Sequence, residues 1–161
     1  MATPTPESGF PIPEPRSPVP DSMADLTAKT LRVVVVTPER AELDAPANSV
    51  VLPMFDGELG VLPGHSAFVG QLAAGELRIT TGTDVKRYYI DGGFVQVAGG
   101  VVNVLTAKAI EATKLTGAAA ITARTAADAL PATNTVEREG RNKAIARAQG
   151  MAKVIAKNPV A

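Results

Sequence analysis

The central part of the chain reads as a series of short β-strands separated by turn residues. Between residues 31 and 106, apolar and β-branched runs are interrupted by turn-forming residues every seven to twelve positions, a spacing typical of an all-β sandwich or barrel. Residues 76–80, Glu-Leu-Arg-Ile-Thr, place Leu77 and Ile79 on one face and the charged side chains on the other, as a half-buried strand requires. The pattern predicts an all-β sandwich as the main folded unit.

Glycine-rich connectors between these runs predict tight turns. The connectors are residues 82–84, Gly-Thr-Asp, residues 91–93, Asp-Gly-Gly, and residues 99–100, Gly-Gly. These residue types accept the positive φ of hairpin turns. We expect the last two connectors to be hairpin turns between strands, and we interpret Gly57, Gly60 and Gly64 as turn glycines as well.

The hydrophobic period changes from strand-like to helical after residue 110. An alanine-rich stretch has the highest helix propensity in the chain, and Pro131 marks its end. Asn134 and Glu137 form a capping box for a second helix that extends to about Ala156. Because residues 131–133 form a short connection, the sequence predicts an antiparallel α-helical hairpin at the C-terminal end.

These patterns divide the chain into three predicted segments. Residues 1–28 are predicted to be a disordered extension, because seven prolines among the first twenty residues prevent both helix and sheet from propagating. Residues 29–110 form the predicted β-sandwich domain, and residues 111–161 form the predicted helical hairpin domain.

The second helix is predicted to be amphipathic and basic. At 100° per residue, five apolar residues share one side: Ile145, Ala148, Met151, Ala152 and Ile155. The predicted basic face on the other side consists of Lys143, Arg147, Lys153 and Lys157. Six basic residues oppose only two acidic ones from residue 137 onward, so an acidic partner would dock here. Gly140 and Gly150 each cost about 1 kcal/mol relative to alanine inside a helix, which predicts a marginal and mobile hairpin.

The chain is poor in groups that catalysis requires. His65 is the only histidine, so a multi-histidine metal site is impossible, and the absence of cysteine excludes disulfides and thiolate sites. Sixteen basic and sixteen acidic residues cancel, so no overall field gathers nucleic acid or anionic lipid. No apolar run reaches the roughly 18 residues that span a bilayer, so membrane association would be indirect. We expect a non-enzymatic protein without a cofactor.

Residues 57–65, Gly-Glu-Leu-Gly-Val-Leu-Pro-Gly-His, resemble the signature of the epsilon subunits of F-type ATP synthases. Four further segments that are similar to this family follow its order, at residues 31–40, 75–79, 89–95 and 102–106. Together they cover about residues 31–115, and a helical hairpin follows as the family expects. The N-terminal extension has no counterpart in this resemblance.

The resemblance implies a rotor subunit without catalytic activity of its own, peripheral at the cytoplasmic face of the inner membrane. It implies that the sandwich grips the gamma subunit and rests on the c-ring, so that ring rotation reaches the catalytic head. The residues that match the family's c-ring and gamma interface are Glu58, Leu59, Gly60 and His65. Among them, Glu58 corresponds to the family's contact with the ring, and His65 to a position near gamma.

The resemblance also implies a regulatory hairpin. In bacterial members the hairpin can extend along gamma toward an acidic segment of the catalytic beta subunit and impede ATP hydrolysis, and the basic face has the right sign for that contact. Some members bind ATP through an aliphatic-Asp-x-x-Arg-Ala motif at the first helix. Here Thr116 replaces the acid and Ala119 replaces the arginine, so we predict no useful ATP binding.

The main alternative is a stand-alone ligand-binding β-sandwich, such as a carbohydrate-binding module. Such modules usually present exposed aromatic platforms, whereas this chain has no tryptophan, two tyrosines and four phenylalanines. A small hydrolase is the third possibility, and the single histidine argues against it. Co-purification with gamma would distinguish a stalk subunit from an isolated module.

Overall fold

The computed structural model describes residues 30–158, which form a β-rich unit followed by two helices. The strands are β1 (Leu31–Val36), β2 (Ala41–Ala47), β3 (Ser49–Met54), β4 (Gly57–Val61), β5 (Phe68–Thr81), β6 (Asp84–Ala98), β7 (Val101–Leu105) and β8 (Ala109–Glu111). A 3₁₀ turn (Ala112–Lys114) leads to the helices α1 (Gly117–Asp128) and α2 (Thr135–Lys157). The extension predicted over residues 1–28 lies outside the described residues.

The strands belong to one mixed sheet that folds into a sandwich. The order is β2-β1-β7-β6-β5-β3-β4, with β8 paired to β6, and every pair is antiparallel except β1 with β7. β6 pairs with β8 through residues 88–90 and with β7 through residues 94–98. The two longest strands, β5 with 14 residues and β6 with 15, pair with each other along nearly their whole length. The predicted sandwich followed by packed helices is confirmed.

The core lies between the two layers and follows the alternation of the strands. In β1, Leu31, Val33 and Val35 are buried and the residues between them are not. Leu77 and Ile79 of β5 point into the core, as predicted. Glu76 lies on the opposite face of β5 but is only 7% exposed, because α2 packs over that part of the strand.

The glycine pairs that were predicted to be hairpin turns have different roles. Gly99 and Gly100 form the two-residue hairpin between β6 and β7, with φ of 56° and 79°, so that prediction is confirmed. The predicted turn at residues 91–93 is wrong, because these residues continue β6. They lie where β6 changes its pairing partner from β8 to β7.

Gly93 explains why residues 91–93 contain glycine although they form no hairpin. Its φ is 117°, and a Cβ atom at this position would lie 2.0 Å from the carbonyl oxygen of Leu105. The glycine therefore permits a close approach of β6 to β7. The interpretation of Gly60 as a turn glycine is also wrong, because Gly60 lies within β4 and pairs with Val51.

Both helices begin at side-chain caps. The Asn134 side chain accepts a hydrogen bond from the Glu137 amide at 2.8 Å, which confirms the predicted cap of α2. The Glu137 carboxylate in turn accepts from the amide of Thr133, one residue before the cap, at 2.9 Å. The hydroxyl of Thr116 caps α1. The two helices pack together through small buried residues, Ala120 and Ala127 of α1 and Ala148 of α2.

A second, smaller cluster joins α2 to the outer face of the sandwich. Its buried members are Tyr89, Ala112, Leu115 and Val154. The strand residues below the helix lie opposite one another in the β5–β6 register, which pairs Ala74 with Asp91, Glu76 with Tyr89, and Arg78 with Arg87. The hairpin is therefore docked on the sandwich along α2. Neither of these helices is long and apolar enough to cross a membrane.

Candidate functional site

The predicted ring-facing residues lie on β4, a strand at the end of the sheet order. Within residues 30–158, β4 pairs only with β3. Leu59 is half-buried and packs against the main core, whereas Glu58 and Gly60 on either side of it are exposed. Alternation along the strand thus anchors β4 through Leu59 and presents Glu58 to solvent.

The predicted gamma-facing residue His65 lies in a tight turn after β4. The His65 amide donates to the carbonyl oxygen of Leu62 at 3.0 Å, with Pro63 and Gly64 between them. Gly64 has a φ of 86°, the conformation of the third position in a type II turn. The exposed imidazole is held locally, with Nδ1 2.9 Å from the carbonyl oxygen of Ser66 and the ring 5.3 Å from that of Phe68.

Glu58 and His65 do not form a compact site. Glu58 is the second residue of β4, and His65 lies four residues beyond the end of that strand. A strand advances about 3.3 Å per residue, so the two side chains lie toward opposite ends of β4. They mark two separate parts of the surface.

A row of exposed apolar side chains, which was not predicted from the sequence, crosses strands β1, β7, β6 and β5. Val36, Leu105 and Phe94 lie side by side in register on β1, β7 and β6, and Phe94 is 58% exposed. Val69 of β5, which is 73% exposed, lies on the same face. We call these four residues the apolar row. The alternation of β6 could have revealed it, because buried Val95 leaves Phe94 pointing outward.

The predicted basic face of α2 is divided in the structure. Arg147 Nε lies 2.7 Å from Asp91 Oδ1, a close ion pair whose N–H geometry is not that of a hydrogen bond. Lys157 Nζ donates to Glu58 Oε1 at 2.9 Å. Lys143 and Lys153 form no ion pair with any side chain between residues 30 and 158. Two of the four cations are therefore already engaged by the sandwich.

Several charged groups meet at the C-terminal end of α2. Lys157 Nζ also lies 3.8 Å from Glu76 Oε2, and Arg87 lies 3.8 Å from the other oxygen of this carboxylate. Neither oxygen of Glu76 has a hydrogen-bond partner within the described chain. Arg87 also donates to the side chain of Asn158 at 2.6 Å. We call Glu58, Glu76, Arg87, Lys157 and Asn158 the C-terminal clamp.

The clamp borders a cleft of about 380 Å³ between α2 and strands β3 to β5. Glu58 is placed between Lys157 and the guanidinium of Arg78, whose distance to Glu58 Oε2 is 3.7 Å. The hydrogen bond from Lys157 is the main cause that lowers the pKa of Glu58; burial opposes it, and the charges of Lys157 and Arg78 add to the lowering. Glu58 is therefore held in its ionised form.

Tyr89 holds the other end of the part of α2 that contacts the sandwich, at Arg147. Its hydroxyl donates to the carbonyl oxygen of Arg147 at 3.3 Å. Burial raises the pKa of Tyr89 well above its ordinary value, and the neighbouring charge of Asp91 raises it further while Arg147 opposes the shift. The phenol therefore stays neutral and can donate this bond at physiological pH.

The side of α2 that docks on the sandwich coincides only in part with the predicted apolar side, from which Met151 and Ile155 pack against the cluster around Tyr89. Gly150 and Val154 are buried against the sandwich, and Arg147 and Lys157 flank them on the same side of the helix. From helix propensity alone, Gly150 is only a weakness of the helix. The sequence signal of this docking side was Gly150 with Val154 four residues later on the same face of the helix. A cation lies three residues before the glycine, and another lies three residues after the valine.

Within residues 30–158, no three His, Asp or Glu side chains come together as a metal site would need. The described surfaces consist instead of an exposed carboxylate, a turn histidine, the apolar row and a helix held by ion pairs. Contiguous exposed apolar side chains are typical of surfaces that bind other proteins.

Comparison with known proteins agrees with the motifs in the sequence. Residues 30–112 match the family described as ATP synthase, Delta/Epsilon chain, beta-sandwich domain. The chain is 46% identical over 123 residues to the ATP synthase epsilon chain of Rhodopirellula baltica, a match that covers 75% of this chain and 94% of that relative.

Two solved structures share the fold. A chain in the cryo-EM structure of the Euglena gracilis mitochondrial ATP synthase, which contains OSCP, F1 and c-ring, superposes with a TM-score of 0.70 at 23% identity, covering 94% of this chain and 99% of that one. A chain in the central stalk and c-ring structure from Tetrahymena thermophila gives 0.58 at 14% identity, with 76% and 94% covered. The family match over the whole sandwich and the long alignment at 46% identity lead to one conclusion: the chain belongs to the family of ATP synthase epsilon chains.

Proposed function

We propose that the chain is a non-catalytic subunit of the central stalk of an F-type ATP synthase, where it connects the c-ring to gamma so that rotation reaches the catalytic head. The alignment with the Rhodopirellula baltica epsilon chain, which includes 94% of that relative, carries this proposal. A connector that transmits torque has to be stiff, and a close-packed sandwich core of this kind resists deformation. Its position would be peripheral, at the cytoplasmic face of the inner membrane.

Edge strand β4 is the proposed contact with the c-ring. Glu58 is ionised and its side chain is 48% exposed, so it can accept hydrogen bonds from a polar loop of the ring. Leu59 fixes the strand to the core from the other side, and Gly60 adds no side chain that would keep a partner away. The three residues together give a firmly held acceptor at the surface.

The turn of His65 and the apolar row are the proposed contacts with gamma. Contiguous exposed apolar side chains on a folded domain mark interaction sites, and Phe94, Leu105 and Val36 lie directly beside one another. Covering this row would remove its apolar surface from water, which favours association. In this family, gamma is the subunit that the sandwich grips.

The helical hairpin is the proposed regulatory element, which extends toward the catalytic beta subunit and impedes ATP hydrolysis. In the docked position Arg147 and Lys157 are occupied by Asp91 and Glu58, so contact with an acidic segment of beta requires α2 to leave the sandwich. The half-exposed pair of Lys157 with Glu58 contributes only about 0 to 1 kcal/mol. Small differences in affinity can therefore shift the hairpin between its two positions.

A co-purification experiment tests the stalk assignment. The tagged full-length chain should bring down gamma and the c-ring from a reconstituted enzyme. Phe94→Ser should weaken the recovery of gamma, whereas Val85→Ser, which also replaces an exposed apolar residue of β6 but lies outside the apolar row, should not. A chain that folds but recovers no gamma would favour the stand-alone ligand-binding sandwich instead.

Measurements of ATP hydrolysis test the regulatory assignment. Truncation after Leu115 should raise hydrolysis by the reconstituted enzyme and leave proton-coupled synthesis intact. Because truncation also uncovers Tyr89, the full-length double variant Lys143→Gln/Lys153→Gln serves as a second test that keeps the docking contacts. It should raise hydrolysis partly. Equal hydrolysis in the wild type and both variants would contradict an inhibitory hairpin.

A further inference from the structure

We propose that α2 and the c-ring compete for the carboxylate of Glu58, so that docking of the hairpin on the sandwich and binding of the ring weaken each other. This inference rests on the proposed ring contact of Glu58. It links ring binding to the docking of the regulatory hairpin, because the residue that would meet the ring is also the residue that holds the last turn of α2.

The geometry of Lys157 provides the link. Lys157 and Glu58 are 99 residues apart in the sequence, yet Lys157 Nζ lies 2.9 Å from Glu58 Oε1. Both side chains are about half exposed, so they meet at the rim of the interface between α2 and the sandwich. A loop that approaches β4 from solvent would meet a carboxylate that already has a partner from the chain itself.

Charge explains why the two partners interfere. The Glu58 carboxylate has Arg78 at 3.7 Å and Lys157 in hydrogen-bond contact, so two cations already compensate its single negative charge. A positively charged or hydrogen-bond-donating group of the ring would be repelled by the Lys157 ammonium or would have to displace it. A free Glu58, by contrast, would accept such a group readily.

The same contact matters to α2. If the ring takes Glu58, Lys157 keeps only Glu76, at 3.8 Å without a hydrogen bond. The clamp then holds the end of α2 mainly through Arg87 and Asn158. Ring binding thus loosens the last turns of α2, and by linkage a loosened α2 favours ring binding to the same extent.

The test uses the full-length chain and a purified c-ring–gamma complex. Lys157→Gln removes the competing cation and leaves Glu58 intact, while Glu58→Gln removes the shared acceptor. Lys86→Gln, which removes an exposed cation of β6 that pairs with no acid among residues 30–158, controls for net charge. Two quantities are measured: the affinity for the complex, and amide hydrogen exchange in residues 151–158 with and without the complex.

We expect Lys157→Gln to bind the complex about two- to fivefold more tightly than the wild type, and Lys86→Gln to bind like the wild type. Addition of the complex should speed exchange in residues 151–158 of the wild type and have a much smaller effect on Lys157→Gln, where this segment already exchanges faster. Glu58→Gln should bind the complex more weakly.

Two different results would overturn the inference. If Glu58→Gln weakens binding but Lys157→Gln matches the wild type and exchange in residues 151–158 ignores the complex, competition is wrong while the ring contact stands. If Glu58→Gln binds the complex as tightly as the wild type, Glu58 is not a ring contact. In that case the competition and the proposed ring contact both fail, although gamma binding would still support the stalk assignment.

Discussion

A Cβ atom on Gly150 of α2 would lie 2.6 Å from the carbonyl oxygen of Ala74 on β5. The helix backbone therefore rests directly on the strand backbone, and only glycine leaves the space for this contact. On either side of it, Val154 fills the cluster around Tyr89, and Arg147 pairs with Asp91. Gly150, which lowers the intrinsic stability of α2, is thus the residue that lets the hairpin dock closely.

Gly150→Ala should loosen the docked hairpin. The substitution improves helix propensity by about 1 kcal/mol, but a side chain forced into a filled site costs about 1 to 3 kcal/mol, so docking should weaken. Amide hydrogen exchange in α2 should become faster while exchange in the sandwich core stays unchanged.

Gly140→Ala is the matched control, because a Cβ atom on Gly140 meets no other atom within 4 Å. It should stabilise α2 by up to about 1 kcal/mol and slow its exchange. If both alanine variants slowed exchange in α2 alike, the close contact with Ala74 would not limit docking.

Gly93→Ala should destabilise the sandwich strongly. A Cβ atom would lie 2.0 Å from the Leu105 carbonyl oxygen at a φ of 117°, so backbone strain and overlap add, and we expect a loss of about 3 kcal/mol or more in the free energy of unfolding. Gly99→Ala is the control, since φ there is also positive, at 56°, but the surrounding space is open, and it should cost about 1 to 2 kcal/mol. Urea unfolding measures both variants, and similar losses would contradict a steric role for Gly93.

Tyr89 should make the docked state sensitive to alkali. Burial raises the pKa of Tyr89 in the folded protein, whereas an unfolded tyrosine ionises near about pH 10. The stabilisation is therefore fully present below about pH 10 and is lost as the pH rises further, because only the unfolded chain then releases the proton readily.

The variant Tyr89→Phe tests this dependence. It should lose about 0.5 to 1.5 kcal/mol at neutral pH through the missing bond to the Arg147 carbonyl oxygen, and its stability should fall less steeply above about pH 10. Tyr88→Phe is the control, because Tyr88 is only half-buried and its removal leaves the effect of Tyr89 in place. Equal alkaline slopes for the wild type and Tyr89→Phe, from urea unfolding at several pH values, would contradict this assignment.

The chain should not bind ATP with useful affinity. A cavity of about 290 Å³ lies between α1 and α2, but the one cationic side chain that lines it, Arg124, is paired with Asp128 at 2.8 Å. Isothermal titration should show no binding, and a micromolar dissociation constant would contradict the prediction. In the double variant Thr116→Asp/Ala119→Arg, aspartate preserves the cap of α1 and exposed position 119 accommodates arginine. This variant should bind more ATP than the wild type.

Local patterns along the chain were enough to predict the family and most elements of the fold. Alternation in β1 and β5, the Gly99-Gly100 hairpin and the Asn134 cap are local features, because each depends on residues a few positions apart. The motif over residues 57–65 likewise identified the family without knowledge of its position in space.

The contacts between these elements, in contrast, depend on how the folded chain brings distant residues together. The glycines at positions 93 and 150 looked like a turn and a weak point, since a close approach of two backbones is invisible until both are placed. The helical period places four cations on one face of α2, but packing divides this face, because Arg147 and Lys157 pair with acids that lie 56 and 99 residues earlier in the chain. Long-range pairs of this kind depend on how the sheet and the helix are oriented to each other, which no local pattern records.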